Sequence, residues 1–197
     1  MADPSYISDG VLEDGEAWVA IGSSEPDGVT SVTFASTDDG QVGDFSQYMD
    51  LFAILYGQGS GGDSVCQHRV HLNGVESGGK YSKQALTGTS SAAVAGAATG
   101  EHWIDLGPWP TTGDGANDFG ASTHHLFDIN SGKYKKALST NAGDRGSAGE
   151  VNMIAWTYLS QAPISSVTFK IRRGASALNW MDGSRLDLFG ILPRMVS

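Results

Sequence analysis

Two stretches toward the C-terminal end constrain this chain most. Ile164-Ser-Ser-Val-Thr-Phe-Lys-Ile171 and Ser184-Arg-Leu-Asp-Leu-Phe-Gly-Ile191 both alternate apolar and polar residues. Val167, Phe169 and Ile171 fall on one side, with Lys170 and Arg172 on the other. Leu186 and Leu188 share a face opposite Arg185 and Asp187. That is the period of a strand with one buried face. Between the two stretches lie Gly174, a short polar segment with Trp180, and the turn-forming pair Asp182-Gly183. The expectation is an antiparallel pair that closes a sheet.

The same signals recur upstream. Strands are expected at Trp18 to Ile21, at Val29 to Phe34 before the acidic turn Thr37-Asp-Asp-Gly40, and within Phe45 to Gly57. The last is the strongest apolar stretch, and its aromatic content favours a central strand. Val65 to Leu72 alternates and runs into Asn73-Gly74, a strong turn signal. Glu101 to Leu106 reads as a short strand stopped by Gly-Pro-Trp-Pro at 107–110. His124 to Ile129, Lys135 to Thr140 and Val151 to Tyr158 complete a set of about ten strands, the pattern of a sandwich or barrel. Residues 87–100, rich in Thr, Ser, Ala and Gly without a period, read as a long surface loop, and 111–123 as a second. The division expected is an N-terminal arm at 1–16 and one β-sandwich domain at 17–197.

A length of 197 residues suits one all-β domain. Only 17% of residues are charged and 27 are glycine, which fits short strands joined by glycine-rich turns. The net charge is −10, and its placement is uneven: the first 68 residues hold 12 acids and no Lys or Arg. Such a surface repels phosphates, so nucleic acid is not expected as a partner. Cys66 is the single cysteine, so no intrachain disulfide forms and a buried, inert thiol is expected. The first residues carry no basic or long apolar segment of a signal peptide, and Ala92 to Ala98 is too short to span a bilayer. No membrane association is expected.

Chemistry-bearing motifs are sparse. Gly74-Val-Glu-Ser-Gly-Gly-Lys80 approaches a phosphate-binding loop, but Tyr81 replaces the Ser or Thr that would hold the metal, and no helix follows. Asp114-Gly-Ala-Asn-Asp118 lacks the Gly and Glu of a calcium loop at the required offsets, which leaves a flexible loop, or a weak cation site shared with Asp38 or Asp39. His68 and His71 should face opposite ways on a strand, as should His124 and His125, so no local metal pair forms. No catalytic residue, cofactor or metal is expected, and the chain reads as a non-enzyme. Trp103, Trp109 and Trp180 lie at or beside loops; exposed, they would stack on sugars or a partner, and buried, they would be core or interface anchors.

Four features, in order, carry a resemblance over roughly residues 18–192. They are Val29-Thr-Ser-Val-Thr-Phe34 before Tyr48 to Tyr56; Arg69-Val-His-Leu-Asn-Gly74 with Gly79-Lys-Tyr81; His125-Leu-Phe-Asp-Ile129 with Asn130-Ser-Gly-Lys-Tyr134; and the closing Ile164 to Ile171 with Gly183 to Ile191. Together they resemble the jelly-roll-like sandwich domain of tailed-bacteriophage virion proteins, similar to head decoration or cement proteins and to tail or fibre adhesins. The resemblance implies an all-β, antiparallel, jelly-roll-like β-sandwich located in the virion and assembled in the host cytoplasm. It implies the major capsid protein and other virion proteins as partners, and a homo-oligomer, a trimer being one form. With no elongated module attached, a capsid decoration role that bridges capsomers is expected first. An adhesin binding host glycan through the loops that carry Trp109 and Trp180 is the alternative.

Overall fold

The computed structural model describes residues 18–62, 66–143 and 149–192, together with the two-residue strands β1 (Ile7–Ser8) and β2 (Val11–Leu12), which pair with each other. The expected arm at 1–16 otherwise lies outside the described residues. The strands that follow are β3 (Trp18–Ser24), β4 (Ser31–Ala35), β5 (Asp50–Gly57), β6 (Cys66–Leu72), β7 (Tyr81–Thr89), β8 (Ala93–Glu101), β9 (Ile104–Trp109), β10 (Gly120–Phe127), β11 (Lys135–Gly143), β12 (Glu150–Tyr158), β13 (Ser166–Arg173), β14 (Ser176–Leu178) and β15 (Arg185–Ile191). The chain is all-β. Eight strands form one antiparallel sheet in the order β3-β15-β5-β10-β11-β12-β7-β8. The second sheet runs β14-β13-β6-β9, with β4 also on β13.

The wiring is nested. β3 pairs with β15, β4 with β13, β5 with β10, and β6 with β9, so the outermost strands of the sequence pair with each other and the innermost likewise. Two hairpins interrupt this nest, β7-β8 between β6 and β9 and β11-β12 between β10 and β13. Both add to the larger sheet, beyond β10.

The alternation read from the sequence holds residue by residue. Val167, Phe169, Ile171, Leu186 and Leu188 are all buried, and they join Leu51, Leu55, Val70 and Ile154 in one core fed by both sheets. At about 25 cal/mol per Å2 of apolar surface removed from water, that shared core is the main favourable contribution to folding. Asn73 and Gly74 both have positive φ, and the Val75 N–H donates to the Leu72 carbonyl at 3.0 Å, the turn that an Asn-Gly pair favours.

Four expectations about elements are corrected. The two closing stretches do not pair. β13 lies between β6 on one side and β4 with β14 on the other, while β15 lies between β3 and β5 in the other sheet. The buried indole of Trp180 fixes the chain between them: its backbone N–H donates to Val29, and its carbonyl accepts from Gly28. Residues 87–100 are not a loop but the end of β7, a tight turn and nearly all of β8. Thr89 closes the turn by donating its N–H to the Ala92 carbonyl at 2.8 Å, while its Oγ1 accepts from the Ala92 N–H at 3.1 Å. Small residues alone leave no periodic signal there. β9 continues through Pro108 to Trp109, which is tolerated because β9 is an edge strand. Phe45 to Gln47 is a single 3-10 turn rather than strand, capped by Asp44, whose carboxylate accepts from the Ser46 N–H at 2.8 Å.

That turn sets Tyr48 against β15. A Cβ on Gly190 would overlap the Tyr48 ring, which is buried and anchored by its hydroxyl donating to the Val42 carbonyl at 2.6 Å. Gly190→Ala is therefore expected to cost about 1–3 kcal/mol, read as a lower urea midpoint at unchanged slope.

Candidate interaction face

The strand register places every second residue of the larger sheet on its outer face. Across the sheet run the rows Tyr56-Ala121-Ala142-Val151-Gly88-Ala93, Ile54-Thr123-Thr140-Met153-Leu86-Ala95 and Phe52-His125-Leu138-Ala155-Gln84-Ala97. This face is mainly apolar. Among the described residues, eight large apolar side chains are exposed on it: Trp18, Ile54, Tyr56, Leu86, Phe127, Leu138, Val151 and Met153, with Leu86 at 62% and Val151 at 60%. A contiguous apolar surface of this kind marks a contact site on a folded protein.

The face has two parts. At the β3 end the rings form a chain: Trp18 meets Phe52 edge-on at 4.8 Å between centroids, Phe52 meets His125 at 5.7 Å, and His125 stacks on Phe127 at 3.9 Å. His125 is held by Asp50, Nε2 to Oδ2 at 2.9 Å. Toward β8 the face turns aliphatic, and a shallow trough of about 510 Å3 runs between Leu138, Met153, Leu86 and Ala95. The charges on the face are few and of both signs: Arg185 bonds Asp187 at 2.9 Å, Lys136 donates to the neutral Thr157 Oγ1 at 2.9 Å, and Asp50 bonds His125. In a chain of net charge −10, two acids against two bases leave this face close to neutral.

The outer face of the smaller sheet is different. Thr33 and Thr168 share a hydroxyl hydrogen bond at 2.9 Å, Lys170 pairs with Glu76, and Arg69 donates to Asp105 at 2.5 Å. It is polar and laced with ion pairs, so the two outward surfaces of the molecule have opposite character.

The three tryptophans singled out from the sequence do not form a site. Trp109 and Trp180 are 0% exposed and pack edge to face at 6.0 Å. Neither can present a ring to a sugar, which corrects the expectation for the exposed case: both are core anchors. Trp103 is partly buried and lies over Arg69, whose guanidinium carbon sits 4.4 Å from the ring centroid. Cys66 is buried as expected, its thiol donating to the Trp109 carbonyl.

The histidines alternate as the spacing predicts. His68 and His124 point into the core from opposite sheets, 5.2 Å between ring centroids, while His125 lies outside. Burial pushes the His124 pKa down to about 3, and burial with the neighbouring His124 pushes His68 well below 6.5. His124 lies between Ser122 at 3.0 Å and Ser139 at 2.9 Å, whereas neither ring nitrogen of His68 has a partner among the described residues. Among the described residues no three His, Cys, Asp or Glu side chains converge as a metal site. Asp114 instead accepts from the Thr111 N–H at 2.9 Å, closing its own turn.

Sequence reasoning did not find the outer face. Its aliphatic half is Leu86, Leu138, Val151 and Met153, and the β8 strand that borders it, with the end of β7, had been read as loop. One signal was available: Leu51 to Tyr56 is continuously apolar, as a strand covered on both faces would be, yet no chain segment among the described residues covers its outer side.

No family model matches the sequence, and no curated protein matches it. Among solved structures, Ail, the attachment invasion locus protein of Yersinia pestis, aligns over 57% of this chain and 98% of its own at 9% identity. Its TM-score of 0.18 is too low to carry any argument. No helix among the described residues is long and apolar enough to cross a membrane.

Proposed function

We propose that this chain is a non-enzymatic structural protein of a tailed-phage virion, a jelly-roll-like β-sandwich that decorates the head and bridges capsomers. The observation that carries the reading is the near-neutral apolar outer face of the eight-stranded sheet. Eight strands about 4.8 Å apart and about 24 Å long present roughly 800 Å2. That is about what one partner contributes to a stable protein interface. The nested strand wiring supports the jelly-roll part: four successive strands paired in reverse order with four later ones, the inserted hairpins set aside, is a hairpin rolled into two sheets, the arrangement of many capsid domains.

The major capsid protein is the partner of this face. Apolar burial supplies the attraction, less the cost of association, and repetition on a lattice raises the avidity of each weak contact. The polar, ion-paired face of the smaller sheet then points to solvent. The acidic N-terminal third keeps the chain off packaged nucleic acid, and no cofactor enters the mechanism. The glycan-binding adhesin is not retained, because the two rings it relied on are inside the core.

The test is re-binding of purified chain to particles that lack it. Leu138→Glu with Met153→Glu places two carboxylates in the aliphatic half, at positions already exposed, and should weaken cosedimentation on the order of a hundredfold with an unchanged fold. Equal binding by wild type and variant would remove the outer face as the docking surface.

A further inference from the structure

The free edge at β8 differs from every other sheet edge among the described residues. Natural sheets blunt their edges with short strands, bulges, proline or charge. β14 has three residues and β4 has five. β3 is bulged where its register against β15 skips Ile21. β9 carries Pro108 and a bulge at Gly107, whose φ is +104°. β8 has none of these devices over Ala93 to Thr99: its register against β7 is regular from Ala93 to Thr99, and both its faces are almost wholly exposed. From Gly88 to Gly100 there is no charged residue and no proline.

The hydrogen-bond phase of this edge can be read. The Thr89 N–H donates to the Ala92 carbonyl, so in the alternating antiparallel pattern Val94, Gly96 and Ala98 turn their backbone groups toward β7. Ala93, Ala95, Ala97 and Thr99 turn theirs outward. We propose that β8 is a self-assembly edge, pairing antiparallel with β8 of a second copy about a two-fold axis at Gly96. Ala95 then faces Ala97 of the second copy and Ala93 faces Thr99, which gives about eight backbone hydrogen bonds across the axis. The pairing is isologous, so it closes as a dimer.

Three observations favour a second copy as the occupant. The edge is its own complement in an antiparallel register. The charge-free segment lets two chains of net charge −10 approach where repulsion is least. Gly96 has no atom within 4 Å of an added Cβ, so no described residue overhangs the strand at the axis on that face. A two-fold perpendicular to the sheet keeps both outer faces on one side, joining them into one apolar surface. The pairing forms whether or not the partner of that surface is a capsid.

Sedimentation velocity of the full chain from about 1 to 300 µM tests it. Wild type should dimerise with a Kd in the micromolar range. Ala97→Pro removes an outward N–H that β7 does not use, and Ala95→Lys places a cation at the edge; each should leave a monomer with an unchanged circular dichroism spectrum. In hydrogen exchange of wild type, the amides of Ala93, Ala95, Ala97 and Thr99 should gain protection with concentration. A wild-type monomer across the range, a trimer, a dimer that survives both substitutions, or edge amides that exchange equally fast at every concentration would each overturn the proposal.

Discussion

Lowering the pH from 7 to 4.5 is expected to remove stability on the order of 2–3 kcal/mol through His124 alone. The folded-state pKa of His124 is about 3 because burial disfavours its charged form, and the ordinary value is 6.5. The unfolded chain therefore takes the proton first. The contribution is full above pH 6.5 and is lost as the pH falls from there toward 3. His68 acts in the same direction for the same reason, with no hydrogen-bond partner among the described residues to offset its burial. Asp39 and Asp44, held below the usual carboxylate range by hydrogen bonds from Thr37 and Ser46, add their own loss only nearer pH 4 and below. Urea melts at pH 7.0, 6.0, 5.0 and 4.5 would trace the slope. His68→Leu removes one proton site together with an unpaired polar group, so it should flatten the profile and cost little at neutral pH. A flat wild-type profile between pH 7 and 5 would mean that the histidines are not sealed between the sheets.

Trp109→Ala is expected to cost about 3–5 kcal/mol, a large part of the stability of a domain this size. The indole fills the space between Trp180 at 6.0 Å, His68 at 4.6 Å and the bare backbone of Gly120, where a Cβ would come within 3.2 Å of the ring. Little else can collapse into that volume, because the flanking side chains are themselves large and fixed. Near-UV circular dichroism and urea denaturation should show the loss together. A variant that kept wild-type stability would place Trp109 at the surface and reopen a sugar-stacking role.

Much of the fold was legible because alternation is a local property. Val167, Phe169, Ile171, Leu186 and Leu188 follow period two, and all five are buried. Pairing is not local. The same alternation suits any neighbour, so nothing near residue 180 revealed that the chain changes sheets there. β8 was invisible for a different reason: Ala, Gly and Thr carry almost no inside-outside contrast, and a strand exposed on both faces has none to carry. The outer face was hidden by its own apolar composition. Residues such as Leu138 and Met153 look like core when read one strand at a time. Only the register across five strands shows that they share a face with nothing described above it. Trp109 and Trp180 stand beside prolines and glycines that give them the look of loop residues, yet they are buried anchors, one of the two alternatives the sequence allowed.

Immunogold labelling of intact virions with an antibody to this chain tests the central reading most directly. The account predicts gold distributed over the head, at a density matching a repeating lattice. Gold confined to the tail or its tip, or particles without label, would contradict it.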